Sequence, residues 1–240
     1  MADIAAVKAC VFDVFGTCVD WRTSVSRDLA EFGARKGIGG IDWLEFAVEW
    51  RKQYQPSMEE VRSGRRPWTI LDVLHKESLA GLLGRHRIAG LSEADIDYMN
   101  RAWHRLDPWP DVVAGLTRLK KQKIIAPCSI GNIALMVNLA KRAGLPWDCV
   151  LGAETARAYK PTPETYLAAC RHLGLAPAQV MMCAAHNRDL KAAKAQGLAT
   201  AFIPRPTEHG PGQTSDLAPD MSVVDVPAQD FVDLAARLGC

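Results

Sequence analysis

The amino-acid sequence predicts an α/β fold, a doubly wound (Rossmann-like) parallel sheet core with an inserted all-helical cap domain. From residue 108 onward, apolar runs of strand length alternate with segments of helical periodicity. Such alternation is typical of a parallel sheet that is covered by helices. Between the first strand and residue 104, the sequence shows helical periodicity only, which indicates a separate helical block.

The first strand leads into an acidic residue. Residues 9–17, ACVFDVFGT, form an apolar run that reaches Asp13 shortly before a turn at Gly16. Ligands of open α/β sheets bind outside the carboxyl ends of the strands. The sequence therefore predicts that Asp13 faces a ligand crevice as a candidate nucleophile. The alternative is that Asp13 only stabilises the turn.

The helical block follows this strand. It runs from about Trp21 to His104, with polar stops at residues 37–40, 64–67 and 90–92. The first strand is not followed directly in the sequence by a helix and a second strand. The simplest topology therefore makes residues 20–105 a helical cap domain, inserted into a core domain of residues 1–19 and 106–240.

The rest of the chain supplies the sheet and its covering helices. The pattern predicts helices that begin at residues 111, 132, 163 and 188, a closing helix over 228–238, and strands over 124–127, around 150, over 180–184 and over 200–203. A stretch rich in glycine and proline, residues 207–213, predicts a loop and points to no function.

Composition excludes several classes of partner. The 29 basic residues against 27 acidic ones leave a net charge of +2, and the basic residues are dispersed, so we expect no nucleic-acid partner. No segment approaches the roughly 18 apolar residues of a membrane span, and the N-terminus does not resemble a signal peptide. We therefore expect no membrane partner and a cytoplasmic location.

Cysteine and histidine spacing indicates no metal site. The seven cysteines never form a C-x-x-C pair, and the six histidines show no paired spacing. Neither a disulfide framework nor a zinc site is indicated. We therefore expect neither a metal nor another cofactor.

Polar residues follow several of the predicted strands. The carboxyl ends of parallel strands should meet at one edge of the sheet. These residues are Asp13 and Thr17, Ser129, Lys160, and the group His186, Asn187 and Asp189. Purely structural alternatives stay open at this point: Ser129 could open the helix that follows, and Asp189 could favour a helix dipole.

The order of these motifs resembles the haloacid dehalogenase (HAD) superfamily. The signature consists of DVFGT at Asp13, the serine Ser129, the string KPTPETY from Lys160 to Tyr166, and a terminal Asp189. Phosphatases of that superfamily carry a second acid two positions after the nucleophile and further acids in the last loop. Here Phe15 stands in the first place, and Ala184, Ala185 and His186 stand in the last loop. The chain therefore resembles the type II (L-2-haloacid) dehalogenase branch, which works without metal.

The resemblance implies metal-independent, hydrolytic dehalogenation of short 2-haloalkanoic acids to 2-hydroxy acids, as in (S)-2-haloacid dehalogenases. Asp13 would displace the halide and form an ester, which water then hydrolyses. Lys160 and Thr17 would hold Asp13 ionised. Asp189 or His186 would activate the water. Ser129 would bind the substrate carboxylate, and Tyr166 and Asn187 belong to the substrate-binding loops. The 2-haloacid and the halide ion are the implied ligands, and a homodimer is a possible assembly.

Arg51 is a halide-site candidate from its own helix. Helical spacing over residues 42–54 places Arg51 within an apolar stripe, with Glu45 and Glu49 on the other side. Burying an unpaired guanidinium is costly, so Arg51 either pairs with a core acid or binds an anion. The dehalogenase branch has its halide-accepting arginine at the matching WRxQ position.

One position departs from the branch. The family usually reads Ser-Asn-Gly after the strand, whereas this chain has Ile130 after Ser129. Asn132, Trp68 or Tyr54 could then help to hold the halide in place of the missing amide. Two other functions stay open: a magnesium-dependent phosphomonoesterase of the same superfamily, and a non-catalytic carboxylate-binding protein.

Overall fold

The first strand lies at the centre of a six-stranded sheet. The computed structural model describes residues 2–240. The strands are β1 (Ala9–Phe12), β2 (Val19–Asp20), β3 (Asp107–Pro108), β4 (Ile124–Ser129), β5 (Leu151–Gly152), β6 (Val180–Ala184), β7 (Ala199–Phe202) and β8 (Val226–Pro227). The sheet has the order β5-β4-β1-β6-β7-β8, and all of its pairings are parallel. The predicted doubly wound α/β fold is confirmed.

The helices occupy the two regions that the sequence predicts. They are α1 (Trp21–Lys36), α2 (Trp43–Lys52), α3 (Tyr54–Arg62), α4 (Leu71–Arg85), α5 (Glu93–Asn100), α6 (Val112–Leu119), α7 (Ile133–Ala143), α8 (Ala153–Ala156), α9 (Pro163–Leu173), α10 (Asn187–Ala195) and α11 (Phe231–Arg237). Helices α1–α5 lie between β2 and β3, which pair antiparallel at the two ends of this segment. The domain boundaries after residues 19 and 105 stay a prediction.

Strand β1 is buried on both of its faces. Cys10 and Phe12 belong to one hydrophobic cluster, and Ala9 and Val11 belong to another. A strand in the middle of a parallel sheet is covered by helices on both sides, which explains why its sequence is apolar throughout. The chain therefore leaves the centre of the sheet at Asp13, where β4 and β6 flank β1 on either side.

The helical segment shares its apolar core with one face of the sheet. The Phe15 ring lies 6.1 Å from the rings of both Tyr54 and Trp103, and Trp21 stacks on Trp103 at 6.2 Å. These edge and stacked arrangements are the ones that aromatic pairs prefer. Phe15 thus joins the loop after β1 to the helices above it.

Some element boundaries differ from the prediction. The closing helix does not begin at residue 228, because Val226–Pro227 pairs with β7 and the Asp230 carboxylate accepts the N–H of Asp233 as the helix cap. The helix that carries Arg51 ends at Lys52, and a new helix starts at Tyr54. Pro56 lies in the first turn of α3, where the missing N–H costs nothing.

Among residues 2–240, no helix combines the length and the apolar character that crossing a membrane requires.

Candidate active site

Asp13 is buried at the carboxyl end of β1 and contacts three polar side chains. The Thr17 hydroxyl donates to Oδ2 at 2.9 Å, and the His186 Nδ1 lies 3.1 Å from the same oxygen. The Lys160 ammonium lies 3.2 Å from Oδ1. Thr17 itself accepts the N–H of Ala185 at 2.9 Å, which directs its hydroxyl proton toward Asp13. The structure brings all of these predicted residues together.

The surroundings keep Asp13 ionised. Burial by itself raises the pKa of a carboxyl group, but the charges of Lys160 and His186 and the hydrogen bonds from His186 and Thr17 outweigh it. The pKa of Asp13 therefore lies well below its ordinary value. A carboxylate of this kind is available as a nucleophile across the physiological pH range.

Lys160 bridges Asp13 to the second acid that the sequence predicts. Its Nζ lies 2.5 Å from Asp189 Oδ2, and the Tyr166 hydroxyl donates to Asp189 Oδ1 at 2.5 Å. Burial and the nearby charge of Asp13 raise the pKa of Asp189, against the opposing effect of Lys160. Asp189 is therefore the better proton acceptor of the two carboxylates.

His186 lies between two carboxylates. Its Nδ1 faces Asp13, and its Nε2 lies 2.8 Å from Glu208 Oε2. A neutral imidazole has a single N–H and cannot donate to both acids at once. Burial lowers the pKa of His186, but the hydrogen bonds and charges of Asp13 and Glu208 raise it well above its ordinary value. An imidazolium has no lone pair to accept a proton, which favours Asp189 as the base, and the activation of water by His186 stays an untested prediction.

Glu208 is the site residue that sequence reasoning misses. It lies in the loop of residues 207–213, yet it is 2% exposed, and its Oε1 accepts the indole N–H of Trp21 at 3.1 Å. A charged residue in a loop normally faces solvent. The sequence therefore offers no signal that this glutamate is buried, because its partners Trp21 and His186 are distant along the chain.

Arg51 lines the same cavity as Asp13. Its Cζ lies 4.1 Å from the Tyr54 ring centroid and 5.6 Å from that of Trp21, and among residues 2–240 its buried Nε has no hydrogen-bond partner. The cavity has a volume of about 230 Å³. Its lining includes Asp13, Phe15, Arg51, Gln55, Met58, Ile130, Lys160, Pro161, Tyr166, His186, Arg188, Asp189, His209 and Asp216. The predicted alternative, in which Arg51 pairs with a core acid, does not occur within the described residues.

Three predicted substrate-binding residues do not line this cavity. Ser129 is fully buried, and its hydroxyl accepts the N–H of Gly131 at 3.2 Å. Asn132 turns toward the helical segment, where its Nδ2 donates to Asp72 Oδ2 at 2.9 Å. Asn187 binds the loop near residue 218 through the carbonyl of Ala218. Each of these side chains contacts a protein partner, and the predicted substrate contacts of all three stay predictions.

The residues predicted to replace the missing family asparagine at the halide make other contacts. Ile130 lines the cavity, whereas Trp68 packs against Tyr159 at 4.9 Å. Tyr54 lies beneath the Arg51 guanidinium, and its buried hydroxyl has no partner within residues 2–240. Arg51 is thus supported by an aromatic face instead of by an amide, through a cation–π contact.

The two acids at the end of the sheet do not fit a magnesium site. Both oxygens of Asp13 and of Asp189 accept hydrogen bonds, and the Lys160 ammonium lies between the two carboxylates. Magnesium requires a near-octahedral set of oxygen ligands, and a bound cation here would face the lysine charge. A different group, His186, Glu208 and His209, has potential ligand atoms within 4.8 Å of one another.

Comparison with known proteins agrees with this geometry. The family model described as haloacid dehalogenase-like hydrolase matches residues 7–197. The fold and the site thus define a hydrolase of the haloacid dehalogenase class, and the chain belongs to that family.

Individual similar proteins indicate a narrower group within this family. The chain is 47% identical to a defluorinating L-2-haloacid dehalogenase of known crystal structure, with a TM-score of 0.95 and coverage of 100% of this chain and 98% of that one. A second L-2-haloacid dehalogenase structure is 49% identical, with a TM-score of 0.92 and coverage of 97% and 99%. The (S)-2-haloacid dehalogenase 1 of Pseudomonas sp. (strain CBS-3) is 30% identical over 83% of this chain and 85% of that protein. These similarities place the chain in the L-2-haloacid dehalogenase branch of the family.

Proposed function

We propose that this protein hydrolyses short 2-haloalkanoic acids to 2-hydroxy acids without a metal ion. The observation that carries the proposal is that the ionised Asp13 and the unpaired Arg51 line one small cavity. A buried carboxylate supplies a nucleophile. A guanidinium without a carboxylate partner supplies a binding place for the departing anion.

In the first step, an oxygen of Asp13 attacks the α-carbon of the substrate. A carbon–oxygen bond forms, the carbon–halogen bond breaks, and the halide leaves with the bonding electron pair toward Arg51. Lys160 and Thr17 hold the Asp13 carboxylate in place through contacts of 3.2 and 2.9 Å. Displacement at carbon requires the attacking oxygen to be held in place, which these two contacts do.

In the second step, water hydrolyses the ester on Asp13. Water attacks the Asp13 carbonyl carbon, and Asp189, whose pKa is raised, accepts its proton. Lys160 and Tyr166 hold Asp189 through both of its oxygens, so its position is fixed before water arrives. The 2-hydroxy acid then departs and the Asp13 carboxylate is restored.

Fluoroacetate is included among the proposed substrates. One of the structures reported above belongs to a dehalogenase described as defluorinating, at 47% identity. The cavity of about 230 Å³ also suits a small acid.

The phosphatase alternative is disfavoured by the same contacts. A phosphomonoesterase of this class would need several oxygen ligands for a divalent cation, whereas both oxygens of Asp13 and of Asp189 already accept hydrogen bonds. A non-catalytic carboxylate-binding protein would gain nothing from a buried, ionised Asp13, which repels an anionic ligand, whereas an enzyme uses it as a nucleophile.

A cytoplasmic location and a homodimer are also part of the proposal. All seven cysteines are free thiols, which suits a reducing compartment. The homodimer is implied only by the resemblance to the family.

The proposal is tested by halide release. We expect free halide from chloroacetate, from fluoroacetate and from one enantiomer of 2-chloropropionate, with the same rate in the presence of EDTA. The Asp13→Asn variant should lose this activity, since an amide is a poor nucleophile. Absence of halide from every substrate, or phosphate release from an aryl phosphate that EDTA abolishes, would contradict the proposal.

A further inference from the structure

His186 and Glu208 form a pair, here called the dyad, that contacts the nucleophile Asp13. Displacement of the halide does not require this pair. We propose that His186 and Thr17 form the oxyanion hole for hydrolysis of the Asp13 ester, and that Glu208 is the positioning residue that keeps His186 charged during that step. This inference rests on the proposed function, because it concerns the second half of the same reaction.

The contacts distinguish the two oxygens of Asp13. Oδ2 accepts two donors, Thr17 at 2.9 Å and His186 at 3.1 Å, whereas within residues 2–240 Oδ1 faces only Lys160 at 3.2 Å. Each accepted hydrogen bond occupies a lone pair. Oδ1 is therefore the oxygen that attacks the substrate and enters the ester bond, and Oδ2 stays behind as the ester carbonyl oxygen.

Hydrolysis then places negative charge on Oδ2. Water adds to the carbonyl carbon of Asp13, and the carbonyl electron pair moves onto Oδ2, where Thr17 and His186 already donate. The tetrahedral centre collapses with cleavage of its bond to Oδ1, which leaves as part of the product. The first proton of the water passes through Asp189 to the departing oxygen. The second proton is released to solvent when Asp13 ionises again.

Glu208 matters because Asp13 loses its charge in the ester. In the resting enzyme two carboxylates face the His186 ring, but after esterification only Glu208 is left to hold the imidazolium. The other titratable groups around the same cavity are Arg51, Lys160, Arg188, Asp189, His209 and Asp216. A charged donor stabilises an oxyanion more strongly than a neutral one.

The protein holds Glu208 in one place. Trp21 donates to its Oε1 at 3.1 Å, and the carboxylate packs directly on Gly16, where an added Cβ would lie 2.0 Å from that oxygen. Gly16 has a φ of +88°, a conformation that L side chains rarely adopt. The glycine after Phe15 therefore serves both the turn and the close approach of Glu208.

The test uses Glu208→Gln, which keeps the size of the side chain and removes its charge. In single turnovers with 2-chloropropionate, we expect the ester to form within about 10-fold of the wild-type rate. Hydrolysis should slow by about 100-fold or more, so that mass spectrometry detects ester on Asp13. The loss should grow as pH rises, because His186 in the variant releases its proton at a lower pH.

A spectroscopic measurement tests the dyad without turnover. In ¹⁵N-histidine spectra of the EDTA-treated protein, assigned with His186→Asn, both ring nitrogens of His186 should be protonated at pH 8. Glu208→Gln should lower the pH at which this signal titrates. The matched control is Asp28→Asn, which removes another buried carboxylate, paired with Arg105 at 2.6 Å, and should leave the His186 signal and the ester hydrolysis unchanged.

The outcomes separate the two proposals. A wild-type His186 that titrates near pH 6.5, a Glu208→Gln variant that hydrolyses the ester at the wild-type rate, or a metal ion that stays bound at His186 would overturn the dyad. Absence of halide release by the wild type would instead overturn the proposed function. If Glu208→Gln does not fold, Trp21→Phe removes the indole donor together with one ring of the packed side chain, and a smaller loss in the same step, with ester formation less affected, is expected.

Discussion

Arg51 has apolar surroundings both in the sequence pattern and in the structure. The sequence places it in an apolar stripe, and the structure places its guanidinium over the Tyr54 ring at 4.1 Å. Among the described residues it forms no ion pair, unlike Lys160, which contacts two carboxylates. The halide can therefore bind Arg51 without displacing a protein anion.

The first prediction at this scale concerns Arg51→Met. Methionine keeps much of the apolar volume over Tyr54 but has no charge to stabilise the departing halide. We expect kcat/KM for chloroacetate to fall by about 100-fold or more, as measured by halide release. The control is Lys52→Met, the exposed neighbour on the same helix, which should retain wild-type activity. Equal losses in both variants would contradict a specific halide contact.

Single residues also mark the limit of what sequence can predict. Asp13, Thr17, Lys160, Tyr166 and Asp189 come together as predicted, because strand ends in a parallel sheet meet at one edge. Position in the chain does not determine where a side chain turns.

The residues that differ illustrate this limit. Asn132 and Asn187 lie beside the correct strands, yet their amides bind Asp72 and the backbone of Ala218. Glu208 reaches the site only because Trp21 and Gly16 form a place for it. Such contacts join residues that are far apart along the chain, and no local pattern reports them.

At the scale of elements, helices α6 and α11 pack closely against one edge of the core. Gly115 in α6 has no room for a side chain, since an added Cβ would lie 2.4 Å from the Phe231 backbone carbon. Phe231 in turn stacks on Phe12 of β1 at 5.4 Å. The glycine therefore lets α11 approach the central strand.

The second prediction compares two glycines that both lie inside helices. Gly115→Ala should destabilise the protein by about 1–3 kcal/mol, because overpacking forces α6 and α11 apart. Gly81→Ala, in α4 where nothing lies within 4 Å of the added Cβ, should stabilise it by about 0.5–1 kcal/mol through helix propensity. Urea unfolding measures both. Stabilisation of both variants would show that helix propensity alone decides.

Element length explains which parts of the fold the sequence predicts. The strands of four to six residues at β1, β4, β6 and β7 give clear apolar runs. The two-residue strands β2, β3 and β8 do not. The prediction therefore misses β8 and the β2–β3 pair, because two residues carry no periodicity, and it begins the last helix at residue 228 instead of at Phe231.

At the scale of the whole molecule, the helical segment holds part of the active site in place. Arg62 of α3 donates to the backbone carbonyl of Lys160 at 2.9 Å, and the Tyr159 hydroxyl donates to the carbonyl of Thr69 at 2.8 Å. Asn132 is tied to Asp72 in the same way. The loop that carries Lys160 is thus held by the helical segment on one side and by the sheet on the other. The helical segment therefore cannot open far without moving Lys160.

The aromatic cluster between the helices and the sheet also contains a titratable group. His75 is 1% exposed, and its ring lies 4.7 Å from that of Tyr54 and 4.9 Å from that of Trp103. Neither ring nitrogen has a hydrogen-bond partner within residues 2–240. Burial lowers the pKa of His75 from 6.5 to about 3, so the folded protein holds this ring neutral at pH 5.

The third prediction follows from that difference between the folded and unfolded states. The unfolded chain binds a proton at His75 below about pH 6.5 and the folded protein does not, so this group costs stability as pH falls from 6.5 toward 3. His75→Phe removes the cost while keeping the stacked ring. We expect the variant to gain about 2 kcal/mol relative to the wild type at pH 5 compared with pH 8, as measured by urea unfolding at both values. His172→Gln, an exposed histidine, is the control and should show no such gain. A His75→Phe variant whose advantage is the same at both pH values would show that His75 is not held neutral by burial.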